Sequence, residues 1–202
     1  METILLLFLF AVSMVGSPGP ANMLLMAAGA RFGYRRSFPL LIGTMTGFFF
    51  VGIAVASGLG ALFSLFPVLR YTFLALSAVY LLYLAYRIAF AAPNLHRADV
   101  KTGFLAGVPV HPLNPKAWAM LIAAYSQFKN PGWSPLEQFI TLQSVFFAVG
   151  IVTNSMWCWG GDLLTRLVQN PRTLVLINRT LAATMLVIVG ISVWQSGLLS
   201  LT

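Results

Sequence analysis

Long uncharged stretches separated by short basic punctuation dominate the chain. Residues 3–30, 37–69, 71–86, 138–161 and 180–202 carry no charge, and residues 102–128 carry only Lys116. Between them lie Arg31, Arg35 and Arg36, then Arg70, then Arg87, Arg97 and Lys101, then Lys129, and finally Arg166, Arg172 and Arg179. A helix needs about 20 apolar residues to cross the hydrocarbon of a bilayer. The pattern therefore predicts an all-α polytopic membrane protein with six spans, over roughly 4–30, 39–64, 69–89, 103–128, 138–163 and 178–199. The loops after the first, third and fifth spans hold three Lys or Arg each, and those after the second and fourth hold one each. Basic loops stay in the cytoplasm, so both termini are expected on the outer, periplasmic side. Tyr34 and Tyr86 then fall near the inner interface, and Tyr71, Trp133 and Trp194 near the outer one, where aromatic belts sit.

Composition agrees and narrows the classes. Hydrophobic residues make up 59% and charged residues 8%, with a mean hydropathy of +0.87. A soluble domain carries about 25% charged residues. The formal charge of +8 is spread through the loops as topology determinants are, so it does not signal nucleic acid. "METI" lacks the positive start of a signal peptide, and the first apolar segment is expected to stay. No GxxxxGK[ST] phosphate loop occurs, which excludes an ATPase motor on this chain. Cys158 is the single cysteine, beside two histidines, so neither a disulfide nor a metal or redox cofactor is expected. The "NRT" at Asn178 falls on the cytoplasmic side. The chain reads as a single transmembrane domain over residues 1–202.

Two spans contain breaks. "GSPGPANML" (Gly16–Leu24) places Pro18, Gly19 and Pro20 within the first, and "PVHPLNPKAW" (Pro109–Trp118) places three prolines within the fourth. These are the first spans of two halves, about 1–92 and 100–202. Since each half has three spans, the halves run in opposite directions, which points to an inverted repeat with a site at its interface. At about 1.5 Å per residue, both breaks fall near the bilayer centre. Irregular backbone there must be buried in protein or line a watery cavity. Proline favours the first helical position, so new half-helices starting at Pro20 and Pro115 are expected to aim their amide ends at the midplane. Helix N-termini attract anions. Lys116 sits on the first turn of the second half-helix, where a cation is disfavoured by the dipole and costs about 2.5–3.5 kcal/mol in the bilayer centre. An anion held between Lys116 and the amides relieves both penalties, and a substrate carboxylate is the natural one.

At these residues the chain resembles the lysine exporter (LysE) superfamily, most closely its homoserine/threonine-resistance (RhtB) branch. The resemblance rests on "SPGP" followed by Ala21-Asn22, on Gly103-Phe104, on "LNPKAW…SQF", on "AVYLLYLAYRI" (Ala78–Ile88) and on "INRTLAATMLVIVGI" (Ile177–Ile191). It covers essentially the whole chain. It implies a six-helix inner-membrane exporter of amino acids and related metabolites, driven by the proton gradient. Two features depart from the pattern: Leu76-Ser77-Ala78 where relatives often carry a glycine, and the extra prolines and histidine of "PVHP".

The candidate substrate-binding residues are Pro18, Gly19, Pro20, Asn22, Asn114, Pro115 and Lys116. Asn22 serves equally as a helix cap. The structural alternative for Lys116 is an ion pair with Asp162, the only plausible acid of the later spans. Tyr80, Tyr83, Tyr125, Asn154 and Trp157 are candidates to line the cavity, with core packing as their competing role. His111 and Asp162 are the candidate proton carriers, although no carboxylate is expected at midplane depth. Gly29-x₃-Gly33 and Gly43-x₃-Gly47 have the spacing of close helix contacts. The expected partners are a small amino-acid substrate, the lipid bilayer and, as an option, a second copy. A neutral amino acid fits best, because a basic one lacks a counter-ion. A metal-exporting or redox protein of similar shape needs a His/Cys cluster that is missing. A structural subunit leaves the buried lysine unexplained.

Overall fold

The computed structural model describes residues 2–89, 103–168 and 170–195. The boundary between halves near residues 92–100, together with Arg97 and Lys101, lies outside them, as does the side chain of Trp194. The described residues are helical and contain no strand: α1 (Glu2–Gly16), α2 (Pro20–Phe32), α3 (Tyr34–Ala56), α4 (Leu59–Leu65), α5 (Pro67–Ala89), α6 (Phe104–Gly107), α7 (Pro115–Gln127), α8 (Pro135–Leu167) and α9 (Pro171–Gln195). Among them, α3 and α8 are each long and apolar enough to cross a membrane, and α1 with α2 meets that test as one span bent by 59°.

Local chemistry sets the boundaries, and several differ from the hydropathy pattern. The apolar run 39–64 is interrupted because Gly58 adopts φ +84 and ends α3, with Ser57 donating its hydroxyl to the Ile53 carbonyl. Positive φ favours glycine, and hydropathy is blind to it. Helix α8 begins at Pro135 because Ser134 and Glu137 form a reciprocal capping box. Helix α9 starts at Pro171, so Arg172 and Arg179 lie on the helix and not in a loop. Gly33 has φ +80 and joins α2 to α3. It is a turn residue, in contrast to the packing role its spacing with Gly29 suggested.

Helix α8 is the central post. It packs along α2, α1 and α3, while α3 also holds α6 and α7, and α5 pairs with α9. Glycines bring these axes close. A Cβ on Gly29 would meet the Cys158 carbonyl, and one on Gly161 the Met26 carbonyl, across the α2–α8 seam. Likewise Gly43 faces Phe104, Gly47 faces Val108 and Gly107 faces Leu40 across the α3–α6 seam. Small residues permit this approach where no hydrophobic gain drives helices together. One apolar cluster joins α1, α3, α7 and α8 through Leu7, Phe48, Leu121 and Phe146. A second joins α2, α5 and α9 through Met23, Leu81 and Leu181. Outward faces stay apolar: Leu5, Leu6, Phe50, Val79, Phe147 and Trp159 are all exposed, as lipid-facing side chains would be.

Candidate substrate site at two helix breaks

Between α1 and α2, residues Ser17, Pro18 and Gly19 leave the helix. The carbonyls at the end of α1 lose their helical partners there and find others. Ser17 donates its hydroxyl to the Met14 carbonyl at 2.9 Å. Asn22 turns its Nδ2 back across the break and donates to the carbonyls of Val15 and Ser17, both at 2.9 Å. Asn22 is thus a clasp for the C-terminal end of α1; the cap expected of it on the new half-helix is not formed, since α2 has no side-chain cap bond. Replacing Asn22 with leucine strands the Val15 carbonyl, and a buried unpaired acceptor costs about 1–3 kcal/mol. Thermal unfolding of the detergent-purified variant should therefore show a lower melting temperature; an unchanged one would refute the clasp.

The second break is a chain of turns over residues 108–113. Leu113 N–H donates to the Pro109 carbonyl and Asn114 N–H to the His111 carbonyl, both at 3.0 Å. Trp118 Nε1 donates to the Pro112 carbonyl at 2.9 Å. Helix α7 then starts at Pro115, with Asn114 as N-cap accepting the Lys116 N–H on its side chain at 3.1 Å.

Lys116 joins the two breaks. Its Nζ donates to the Ser17 carbonyl at 2.8 Å, to Ser17 Oγ at 2.9 Å and, at 3.4 Å, to the Pro18 carbonyl. A Cβ on Gly19 would lie 3.1 Å from that nitrogen. The ammonium rests on the negative end of α1, which offsets its poor position at the start of α7. The ion pair with Asp162 is not formed. Asp162 bonds Arg166 at 3.0 Å and accepts the Tyr34 N–H at 3.1 Å, binding α8 to the start of α3. The two amide ends also differ from the sequence expectation. Asn114 caps α7, whereas Gly19 gives α2 no side-chain cap, so the unclaimed first-turn amides are those of α2.

Asn22, Gly19, Asn114 and Lys116 line one small cavity, which His111 and Asn154 share. Pro20 and Pro115 start the two half-helices, and Pro18 lies exposed in the break. The free space is about 20 Å³, room for roughly one water and too little for an amino acid. The other candidates go elsewhere. Tyr80 packs in the α2–α5–α9 cluster, Tyr83 is half exposed on α5, and Tyr125 borders the α7 cluster with its hydroxyl unpaired. Trp157 lines a separate open groove with Gly16, Met26 and Thr153, of about 410 Å³. Ser17 was missed by sequence reasoning. The only available signal was a hydroxyl residue immediately before the first proline.

A bent apolar helix pair, a second break and one cation bridging both suit a chain that spans a membrane and holds a polar group within it. Residues 12–197 match the family of LysE type translocators, and the chain belongs to that family. It is similar to the cysteine/O-acetylserine efflux protein of Klebsiella pneumoniae, 30% identical over 154 residues, covering 75% of this chain and 78% of that one. It is also similar to the protein of the same description from Salmonella typhimurium, 28% identical over 151 residues, 74% of this chain and 77% of that one. No solved structure matches.

Proposed function

We propose that this chain is an inner-membrane secondary exporter, and not an enzyme, that moves small neutral amino acids out of the cytoplasm. The carrying observation is Lys116, half-buried at the meeting point of two helix breaks, beside the uncapped amides of α2. The substrate carboxylate takes the place of the Ser17 and Pro18 carbonyls on Lys116. A charged donor exchanges one set of acceptors for a better, ionised one. Neutral substrates are favoured because, among the described residues, no carboxylate side chain lines the cavity to hold a second cation. The relatives named for cysteine and O-acetylserine efflux support that class, and homoserine and threonine share its chemistry.

The proposed architecture is six spans in two inverted halves with both termini outside. Its support is the pairing of elements. Exchanging first with fourth, second with fifth and third with sixth spans turns the α2–α8 packing into the α3–α6/α7 packing. The same exchange leaves α3–α8 and α5–α9 unchanged as pairs. Proton-gradient drive is part of the proposal, with His111 as the titratable neighbour of Lys116 in the cavity. Asp162 is already engaged by Arg166 and Tyr34, which favours a structural role for it.

The test is counterflow into proteoliposomes loaded with cysteine, O-acetylserine, homoserine or threonine. Exchange of at least one is expected, faster than exchange of lysine or glutamate. No exchange of any amino acid would refute the proposal.

A further inference from the structure

We propose that Asn154 and His111 form the subsite for the substrate's α-ammonium group, so that the cavity selects zwitterions and not simple carboxylates. This rests on the reading of Lys116 as the carboxylate partner. Asn154 comes from α8 and His111 from the turns before α7, and both line the Lys116 cavity. Asn154 is 2% exposed and His111 8% exposed. The Asn154 Nδ2 donates one N–H to Met45 Sδ on α3 at 3.2 Å. Its Oδ1 is buried without a partner, and so is the Nδ1 of His111. The His111 ring is fixed edge-to-face against Phe48, with centroids 5.2 Å apart.

Buried polar atoms are nearly always paired, so two residues of one cavity with unpaired atoms call for a polar occupant: about one water in the closed cavity of about 20 Å³, and a substrate group once the cavity widens to admit it. The chemistry of that substrate follows from what is free. Nδ2 keeps a second N–H, but the atom of Asn154 left wholly unpaired is the acceptor Oδ1, and a neutral imidazole keeps one acceptor nitrogen. Lys116 and the α2 amides offer only donors. A ligand that satisfies both sets carries an anionic acceptor and a cationic donor a short distance apart. An α-amino acid has this pattern. A monocarboxylate leaves the acceptors empty, and a diamine meets the Lys116 charge. Met14, Val15 and Met120 supply the rest of the lining, which suits a small uncharged side chain.

The experiment uses three inhibitors of the counterflow that wild type sustains: cysteine, cysteamine, which lacks the carboxylate, and 3-mercaptopropionate, which lacks the ammonium. Wild type should bind cysteine better than either fragment. Asn154→Leu should weaken cysteine and cysteamine by roughly tenfold or more, the scale of a lost hydrogen bond to a charged group, and leave 3-mercaptopropionate unchanged. Asn154→Asp, which keeps shape and acceptor, should retain cysteamine inhibition and show that the position tolerates substitution. Lys116→Met should show the opposite selectivity, losing 3-mercaptopropionate and sparing cysteamine. Equal weakening of all three inhibitors by Asn154→Leu, or no weakening of any, would overturn the ammonium subsite. So would wild-type inhibition by 3-mercaptopropionate as strong as by cysteine. If the Asn154 arm succeeds and the Lys116 arm fails, the carboxylate reading falls instead.

Discussion

Alanine at Lys116 is expected to reduce amino-acid efflux at least tenfold while leaving folded protein in the membrane. Two roles meet in this side chain, and they differ in size. Structurally, Lys116 donates to the Ser17 carbonyl and hydroxyl and reaches the Pro18 carbonyl. Hydrogen bonds to a charged group contribute about 1.5–3 kcal/mol. Part of that is offset, because Asn22 also donates to the Ser17 carbonyl, so the first break keeps a partner. The melting temperature should fall modestly. Functionally, the loss is larger in consequence, since no other Lys or Arg among the described residues lines the cavity. Arginine is not an adequate replacement. The ammonium packs close against Gly19, where an added Cβ would lie 3.1 Å from it, and a planar guanidinium is bulkier than an ammonium point charge. Lys116→Arg should therefore transport poorly despite its charge. The check is counterflow rate normalised to folded protein, measured beside thermal unfolding. Wild-type transport by a folded Lys116→Ala protein would remove this residue from the site.

The second large effect is expected at Gly161. A side chain there must enter the α2–α8 seam, where an added Cβ meets the Met26 carbonyl and lies 2.9 Å from the Ala30 nitrogen. Both obstacles are backbone. A flexible side chain could swing aside, but a helix backbone moves only with its whole helix. Overpacking of a core costs about 1–3 kcal/mol, and Gly161→Leu belongs at the upper end of that range. Gly160 provides the control, since a Cβ there meets nothing within 4 Å. Gly161→Leu should aggregate on detergent extraction or melt well below wild type, while Gly160→Leu should behave like wild type. Equal melting of the two variants would show that the close approach does not limit stability.

Much of the architecture was written in one dimension. Apolar runs of membrane length predict helices in lipid, because only internally bonded backbone is tolerated there. Helix starts at Pro20 and Pro115 followed from the constraint proline places on a helix. The two proline-rich breaks, and the lone charge beside the second, picked out the cavity's Gly19, Asn22, Asn114 and Lys116. Gly58 shows where that reading stops. It sits in an unbroken apolar run, yet its positive φ ends α3, and hydrophobicity carries no information about φ.

What the sequence by itself determined is the class of protein and the place of its two breaks: an apolar helical chain, broken twice, with one cation that the bilayer would not tolerate unpartnered. Only the tertiary structure decided the partners. Lys116 contacts Ser17 across 99 positions of sequence, and Asp162 is claimed by Arg166 and Tyr34. Asn154 Oδ1 and His111 Nδ1 are left unpaired, and both residues line the same cavity. A residue type states what a group can donate or accept. Which of those bonds are already spent depends on which helices meet, and residues distant in the chain meet only when it is folded.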